Sequence, residues 1–264
     1  MLKLDHVSVS FRSERQDKIF GHIRQQVLFD ISMEVKKGTC IGILGESGSG
    51  KSTMGRVICG LLKPDAGEVL LNGTSVYASR KNRRELQNKL SIVFQDYTTS
   101  ANPRFRVADI IKEGLSVRQR REQIKINQEE EIARLLEMVG LSANYADRFP
   151  HELSGGQLQR VCIARAVACN PDIILFDEAI SSLDAHTQVQ IMDLLLELKE
   201  RLSLTYIFIT HDLTSVTYLC DHVLFLYKGK VTEYMPVKSI NETQDVYARK
   251  LLESIIVFDT EETI

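Results

Sequence analysis

Apolar and polar residues alternate from Leu2 to Phe11 (Leu2, Leu4, Val7, Val9, Phe11), the period of a half-buried β-strand. Residues 12–26 break that rhythm with charges and a glycine, and Val27–Val35 resumes it as a second strand. Lys36-Lys37-Gly38 reads as a turn. The continuous apolar run Cys40-Ile41-Gly42-Ile43-Leu44 has the length of a buried strand, and Met54–Leu62 switches to helical spacing. Leu70-Leu71-Asn72-Gly73 contains Asn-Gly, a strong hairpin-turn signal, and Leu90–Phe94 is another strand. From about Asp96 to Asn170 the pattern turns helical and charged. Val107–Gln119 and Gln128–Val139 have helical periodicity, Gly140 stands where a C-cap would, and Ser154–Cys169 is a further helix that Pro171 stops. Strand and helix then alternate through Ile173–Glu178, Ala185–Leu202, Thr205–Ile209, Leu213–Leu219 and Val223–Tyr227. Such alternation implies an α/β core with a largely parallel, covered sheet. The last acidic stretch, Asp259-Thr260-Glu261-Glu262-Thr263, reads as a solvated, frayed tail. The chain has no internal repeat.

Between the buried strand and its helix lies Gly45-Glu46-Ser47-Gly48-Ser49-Gly50-Lys51-Ser52-Thr53. Strand, glycine loop and helix form the context in which the G-x-x-x-x-G-K-[ST] pattern binds phosphate. Without Cβ atoms the loop can turn successive N–H groups onto phosphate oxygens, and the helix N-terminus adds its positive end. Lys51 supplies a cation for the β- and γ-phosphates, and the Ser52 hydroxyl can ligate Mg²⁺. The chain is therefore expected to bind a nucleoside triphosphate; the plain reading, a glycine turn, does not explain the flanking elements.

Four further signals follow in order. Leu90–Phe94 delivers Gln95. Ser154-Gly155-Gly156-Gln157 opens a helix, with Ser154 a good cap in any case. Ile173–Phe176 is an apolar run ending in Asp177-Glu178, with Ser182-Leu183-Asp184 beyond, and Tyr206–Ile209 is followed by Thr210-His211-Asp212. Taken singly, each has a structural explanation: a capped helix, a solvated strand end, a lone histidine. In this order and spacing they resemble the ATP-binding-cassette (ABC) ATPases.

The resemblance spans residues 2 to 235 and implies a fold: a P-loop NTPase (RecA-like) core with an antiparallel β subdomain and an inserted helical subdomain. A single cassette over 1–264 would then comprise a nucleotide-binding core at 1–95 and 171–264 and a helical signature subdomain at 96–170. It also implies ATP and Mg²⁺ as cofactors. Residues Gly45, Glu46, Ser47, Gly48, Ser49, Gly50, Lys51, Ser52 and Thr53 would hold ATP, with Ser52, Gln95 and Asp177 about the metal. Glu178 would polarise the attacking water, and Gln95 and His211 would complete the catalytic set. Ser154, Gly155, Gly156 and Gln157 would serve ATP held by a partner cassette, and Asp184 would bridge the two sites. An aromatic near the start of such chains stacks on adenine; Phe11 and Phe20 flank the polar stretch, and Phe11 is preferred for its distance from the phosphate loop.

Asn102-Pro103-Arg104 after Gln95, and Pro150-His151-Glu152-Leu153 before the signature, resemble the peptide and nickel importer branch of bacterial ABC transporters. Gly156–Cys162 and Asp177–Asp184 look most like the second ATPase subunit of nickel importers, although many relatives have Pro-Thr where this chain has Ala179-Ile180. By the same resemblance, the short segment beyond Leu252, with no cysteine after Cys220, is expected to favour the shorter nickel-type subunit over longer peptide-importer ATPases while leaving a peptide or metal-chelate system open. The expected cargo is nickel, with a peptide or metal chelate as the alternative. Expected partners are a second cassette (a paralogue), two transmembrane permease subunits and an extracytoplasmic substrate-binding protein, at the cytoplasmic face of the membrane. The loop at 96–106 would dock a transmembrane coupling helix, with Phe105 and Val107 either as its contacts or, equally, in ordinary packing against the helical arm.

Composition narrows the field further. A formal net charge of −2 over 264 residues argues against a general nucleic-acid binder, which would carry a basic stripe. No apolar run approaches the roughly 18 residues that span a bilayer, and the first residues lack a signal-peptide apolar region. Cys40, Cys59, Cys162, Cys169 and Cys220 are scattered without a C-x-x-C pair and read as reduced, mostly buried thiols. A non-transport ABC protein would add a second cassette, long coiled coils or a zinc module, none of which this chain contains. A plain P-loop kinase or GTPase leaves the signature, Gln95 and His211 without a role.

Overall fold

In the computed structural model, which describes residues 1–12 and 24–260, the alternating start of the chain forms β1 (Leu2–Arg12) and β2 (Arg24–Val35). Then come β3 (Cys40–Leu44), α1 (Lys51–Ile58), β4 (Ala66–Leu71), β5 (Thr74–Ser75), α2 (Arg80–Lys89) and β6 (Leu90–Phe94). A predominantly helical stretch follows, with α3 (Tyr97–Ser100), α4 (Val107–Glu122), α5 (Gln128–Met138) and α6 (Gly155–Ala168). Alternation returns with β7 (Ile173–Asp177), α7 (Ala185–Leu202), β8 (Thr205–Thr210), α8 (Leu213–Leu219), β9 (His222–Tyr227), β10 (Lys230–Pro236) and α9 (Val246–Thr260). Phe20 and residues 261–264 lie outside the described residues. Asp259 and Thr260, expected in a frayed tail, are the last residues of α9.

The chain divides into two compact units, Met1–Gln87 with Ile207–Ile264, and Asn88–Tyr206. The first unit holds a four-stranded sheet in the order β2-β1-β4-β5, antiparallel throughout. Leu2 pairs with Val35 on one side and Leu71 on the other, so the inward faces of three strands coincide. The strand β2 begins three residues before its apolar run because backbone pairing with β1 carries it on to Arg12↔Arg24. Arg24 is fastened there by hydrogen bonds to Ser10 Oγ (2.7 Å) and Asp65 Oδ1 (2.6 Å). The Asn72-Gly73 turn forms as expected between β4 and β5, with φ of 50° and 79°, the left-handed pair a two-residue hairpin requires. The same unit carries strands in the order β10-β9-β3-β8, with β9 parallel to β3 and antiparallel to β10.

In the second unit β6 and β7 run parallel, in a register that sets Phe94 opposite Asp177. Phe176 is fully buried and meets Tyr206 edge-on, ring centroids 5.1 Å apart. The Tyr206 hydroxyl is satisfied by donating to Leu195 O at 3.0 Å, so an aromatic with a polar tip can sit in the core. Helices α4, α5 and α6 bury Ile110, Ile111, Leu115, Ile132, Leu135, Leu136, Val161 and Ile163. Val107, for which docking contact and ordinary packing in the helical arm are both open from sequence, is fully buried, whereas Phe105 is 37% exposed. The difference follows from position, since Val107 opens α4 on the face that packs inward and Phe105 precedes the helix.

Glu122, at the end of α4, illustrates how this unit uses charge. Burial pushes its carboxyl up, but hydrogen bonds from Arg121, Asn170 and Arg118 outweigh it and lower the pKa to about 2. A carboxylate depressed on folding contributes stability above its unfolded pKa of 4.5 and loses it as pH falls toward 2. Unfolding in denaturant measured between pH 5 and 2 should show stability falling with acid. In Glu122→Gln that slope should be shallower and the stability at pH 7 lower, because the arginines lose their charged partner.

Candidate active site

The candidate site begins where β3 ends. All five residues of that strand are buried, so the chain emerges into the loop from a fixed base. Gly50 takes φ 106°, a left-handed conformation that a side chain resists, and from it α1 starts at Lys51 rather than at Met54. The apolar spacing placed the helix three residues late because the turn is set by the glycine, not by core contacts; at the other end Gly60 (φ 68°) stops it before Leu62. Gly45 is required by close approach: a Cβ there would lie 2.4 Å from Leu226 O and 2.6 Å from Ser49 Oγ.

Lys51 is 5% exposed, and its ammonium donates to Gly45 O at 2.7 Å and Glu46 O at 3.0 Å. A buried cation folded against its own loop is a charge held ready for an anion. Ser49 Oγ is buried without a hydrogen-bond partner among the described residues, and Ser52 is exposed at the first turn of the helix. This donor set, a glycine-rich turn with a buried lysine and a free hydroxyl, fits a triphosphate and its Mg²⁺. In the same unit β8 neighbours β3, and His211 follows its last residue, exposed, ahead of Asp212, which caps α8 by accepting from Thr214 and Ser215 N–H. Phe11 is on β1, opposite Gln25 and 39% exposed.

The second unit assembles the acidic group. The register Phe94↔Asp177 brings the carboxyl ends of β6 and β7 side by side, so Gln95 follows one strand and Glu178 the other. Gln95 Nε2 donates to Ser181 Oγ at 3.3 Å, and that hydroxyl donates to Glu178 O at 2.9 Å. Glu178 adopts φ 50°, a left-handed conformation costing a non-glycine residue roughly 1–2 kcal/mol. Such strain persists only where the surroundings over-determine it. Ser181 was not singled out from sequence; its role is visible only once the strands are paired.

Ser154 and Gln157 close a capping box at the start of α6. Gln157 N–H donates to Ser154 Oγ at 3.3 Å, Ser154 N–H to Gln157 Oε1 at 3.0 Å, and Gln157 Nε2 to Tyr145 Oη at 3.0 Å. With Gly156, Arg160, Thr187 and Gln190 they line a cavity of about 490 Å³. Asp184 caps α7, accepting from Thr187 N–H at 2.9 Å and Thr187 Oγ1 at 2.7 Å, and the Thr187 backbone bond holds its carboxyl below the usual range.

Among the described residues no helix is long and apolar enough to cross a membrane. The family model described as ABC transporter matches residues 28–181. The chain is 43% identical over 258 residues to the metal-staphylopine import system ATP-binding protein CntF of Staphylococcus aureus (strain NCTC 8325 / PS 47), covering 98% of this chain and 100% of that protein. It is also 43% identical over 258 residues to the oligopeptide transport ATP-binding protein OppF of Bacillus subtilis (strain 168), covering 97% and 82%. Among solved structures, the ATP-binding cassette MJ0796 bound to ADP and Pi superposes with a TM-score of 0.76 at 30% identity, over 90% of this chain and 99% of that one. The glycine loop on β3, the acidic end of β7 and these likenesses agree: the chain belongs to the ABC transporter family and carries its ATPase domain.

Proposed function

We propose that this chain is the ATP-hydrolysing subunit of a bacterial importer whose cargo is a transition metal, carried as nickel or as a metal chelate. The observation that carries the hydrolytic half is the hydrogen-bonded run Gln95–Ser181–Glu178 at the paired ends of β6 and β7. In this reading Lys51 and the amides of Gly45–Thr53 hold the β- and γ-phosphates. Ser52 and Gln95 would complete the shell of a Mg²⁺ ion, with Asp177 acting on it from behind or through water, and the ion when bound would neutralise phosphate charge. Glu178 orients and polarises the attacking water, His211 contacts the γ-phosphate, and Phe11 stacks on adenine. Phosphoryl transfer to water is catalysed chiefly by position and charge, so residues held by strand ends and caps suit the task.

The signature residues Ser154, Gly155, Gly156 and Gln157 would complete the site of a second cassette, with Asp184 between the two sites. The relative MJ0796 is dimeric in its ADP- and Pi-bound state. Here the second cassette would be a paralogue, working with two permease subunits and a substrate-binding protein at the cytoplasmic face of the membrane. The metal cargo is the reading shared by the nickel-importer resemblance and the metal-staphylopine relative. An oligopeptide cargo is favoured by OppF at the same identity.

The test is uptake in cells lacking the gene, comparing radiolabelled nickel, free and chelated, with a labelled oligopeptide. Loss of metal uptake, restored by the wild-type chain and not by Glu178→Gln, is the expected result. Unchanged metal uptake with lost peptide uptake would replace the cargo; no change in either would overturn the importer reading.

A further inference from the structure

The phosphate loop is fastened from below by the end of the chain. Glu46 N–H donates to Tyr247 Oη at 3.0 Å, across 201 residues of sequence. Tyr247 is the second residue of α9, 9% exposed, and its ring stacks on Tyr227 at 4.5 Å with an interplanar angle of 28°. Tyr227 ends β9, one residue beyond Leu226, whose carbonyl oxygen abuts Gly45. Two residues later Gly229 N–H donates to Ser49 O at 2.9 Å. Thus Tyr247 belongs to a set of contacts from β9, the β9–β10 turn and α9 that holds the loop at Gly45, Glu46 and Ser49.

The segment that carries Tyr247 is itself pinned. Ala248 N–H donates to Asp245 Oδ1 at 2.9 Å, Arg249 Nε donates to Thr243 O at 2.9 Å, and Thr243 Oγ1 donates to Glu233 on β10. The first turn of α9 is therefore a fixed platform, and from it the Tyr247 hydroxyl meets the Glu46 N–H. Burial pushes the Tyr247 phenol up, so the group stays neutral and accepts through an oxygen lone pair across the working pH range.

The peptide between Gly45 and Glu46 is gripped at both ends. Its carbonyl, Gly45 O, accepts from Lys51 Nζ, and its N–H donates to Tyr247. Where Lys51 turns from Gly45 O to a phosphate oxygen, the carbonyl end of the peptide is released. Tyr247 still holds the N–H end, so the peptide plane keeps its orientation and the amides after it keep their convergence.

We propose that Tyr247 is a positioning residue for ATP binding, its hydroxyl holding the Gly45–Glu46 peptide so that the phosphate loop is organised before nucleotide arrives. This rests on the reading of Gly45–Thr53 as the ATP site. It makes α9, which contains none of the nucleotide motifs, part of the binding machinery. The energetic role is pre-organisation: a loop that must be ordered on binding loses affinity, and one already ordered does not.

The test uses the full-length chain, alone for binding and within the assembled transporter for turnover. Tyr247→Phe keeps the stacked ring and removes only the hydroxyl. The expected result is a dissociation constant for MgATP raised about three- to tenfold, the worth of one hydrogen bond, with KM raised in proportion and kcat unchanged. The unfolding midpoint without nucleotide should stay within error of wild type, and the shift of that midpoint on adding MgATP should shrink. Lys51→Ala serves as the reference for the loop. If Lys51→Ala loses affinity and Tyr247→Phe does not, the Tyr247 inference is wrong and the ATP site stands. If Lys51→Ala binds MgATP like wild type, the reading of the loop itself fails. A fall in kcat with KM unchanged in Tyr247→Phe would also contradict the proposal.

Discussion

Replacing Glu178 with glutamine is expected to leave MgATP binding near wild type while lowering turnover by about 10²–10⁴-fold, the range for loss of a positioned general base. The carboxylate stands at the end of β7, in a residue whose φ of 50° departs from the strand and whose carbonyl accepts from Ser181. Glutamine preserves size and can keep the backbone turn, so the change removes the ability to take a proton and little else. Steady-state phosphate release and equilibrium binding on the same preparation separate the two effects. Equal losses in both would mean that Glu178 holds nucleotide or structure rather than water. Turnover within a few-fold of wild type would remove it from the chemistry.

The second large effect is on stability. Phe176→Ala empties a fully buried position one residue before Asp177 and removes the edge-on contact to Tyr206. Phenylalanine-to-alanine changes in cores cost roughly 3–5 kcal/mol, from lost transfer energy and the cavity left behind. That is a sizeable share of the 5–15 kcal/mol typical of a folded domain. The unfolding midpoint in urea should fall accordingly with the slope unchanged. Because Tyr206 would keep its bond to Leu195 O, the cavity cannot be closed simply by tilting that ring inward. A loss below about 1 kcal/mol would mean that the core around β7 relaxes freely, contrary to the packing described.

Much of this was written in short-range pattern. Strands such as β3 and β8 are continuous apolar runs, and α7 and α8 have helical spacing with aspartate caps at Asp184 and Asp212, so they emerge where expected. The loop, the signature and the Asp177-Glu178 pair are each local in sequence. What the pattern hid had physical reasons. Only Leu86 of α2 is buried, so that charged helix shows no apolar stripe. The bounds of α1 follow the left-handed glycines at 50 and 60 rather than the apolar positions. Contacts between distant residues leave no periodic trace, and both Ser181 on Gln95 and Tyr247 on Glu46 are of that kind.

The most direct measurement is ATP-driven release of cargo from proteoliposomes containing the complete transporter, with this subunit on the accessible face and the binding protein and metal cargo enclosed. Cargo should flow into the medium on adding MgATP, with no flow on adding a non-hydrolysable analogue and none when Glu178→Gln replaces the wild-type chain. Cargo movement without ATP, or undiminished by Glu178→Gln, would contradict the proposed function.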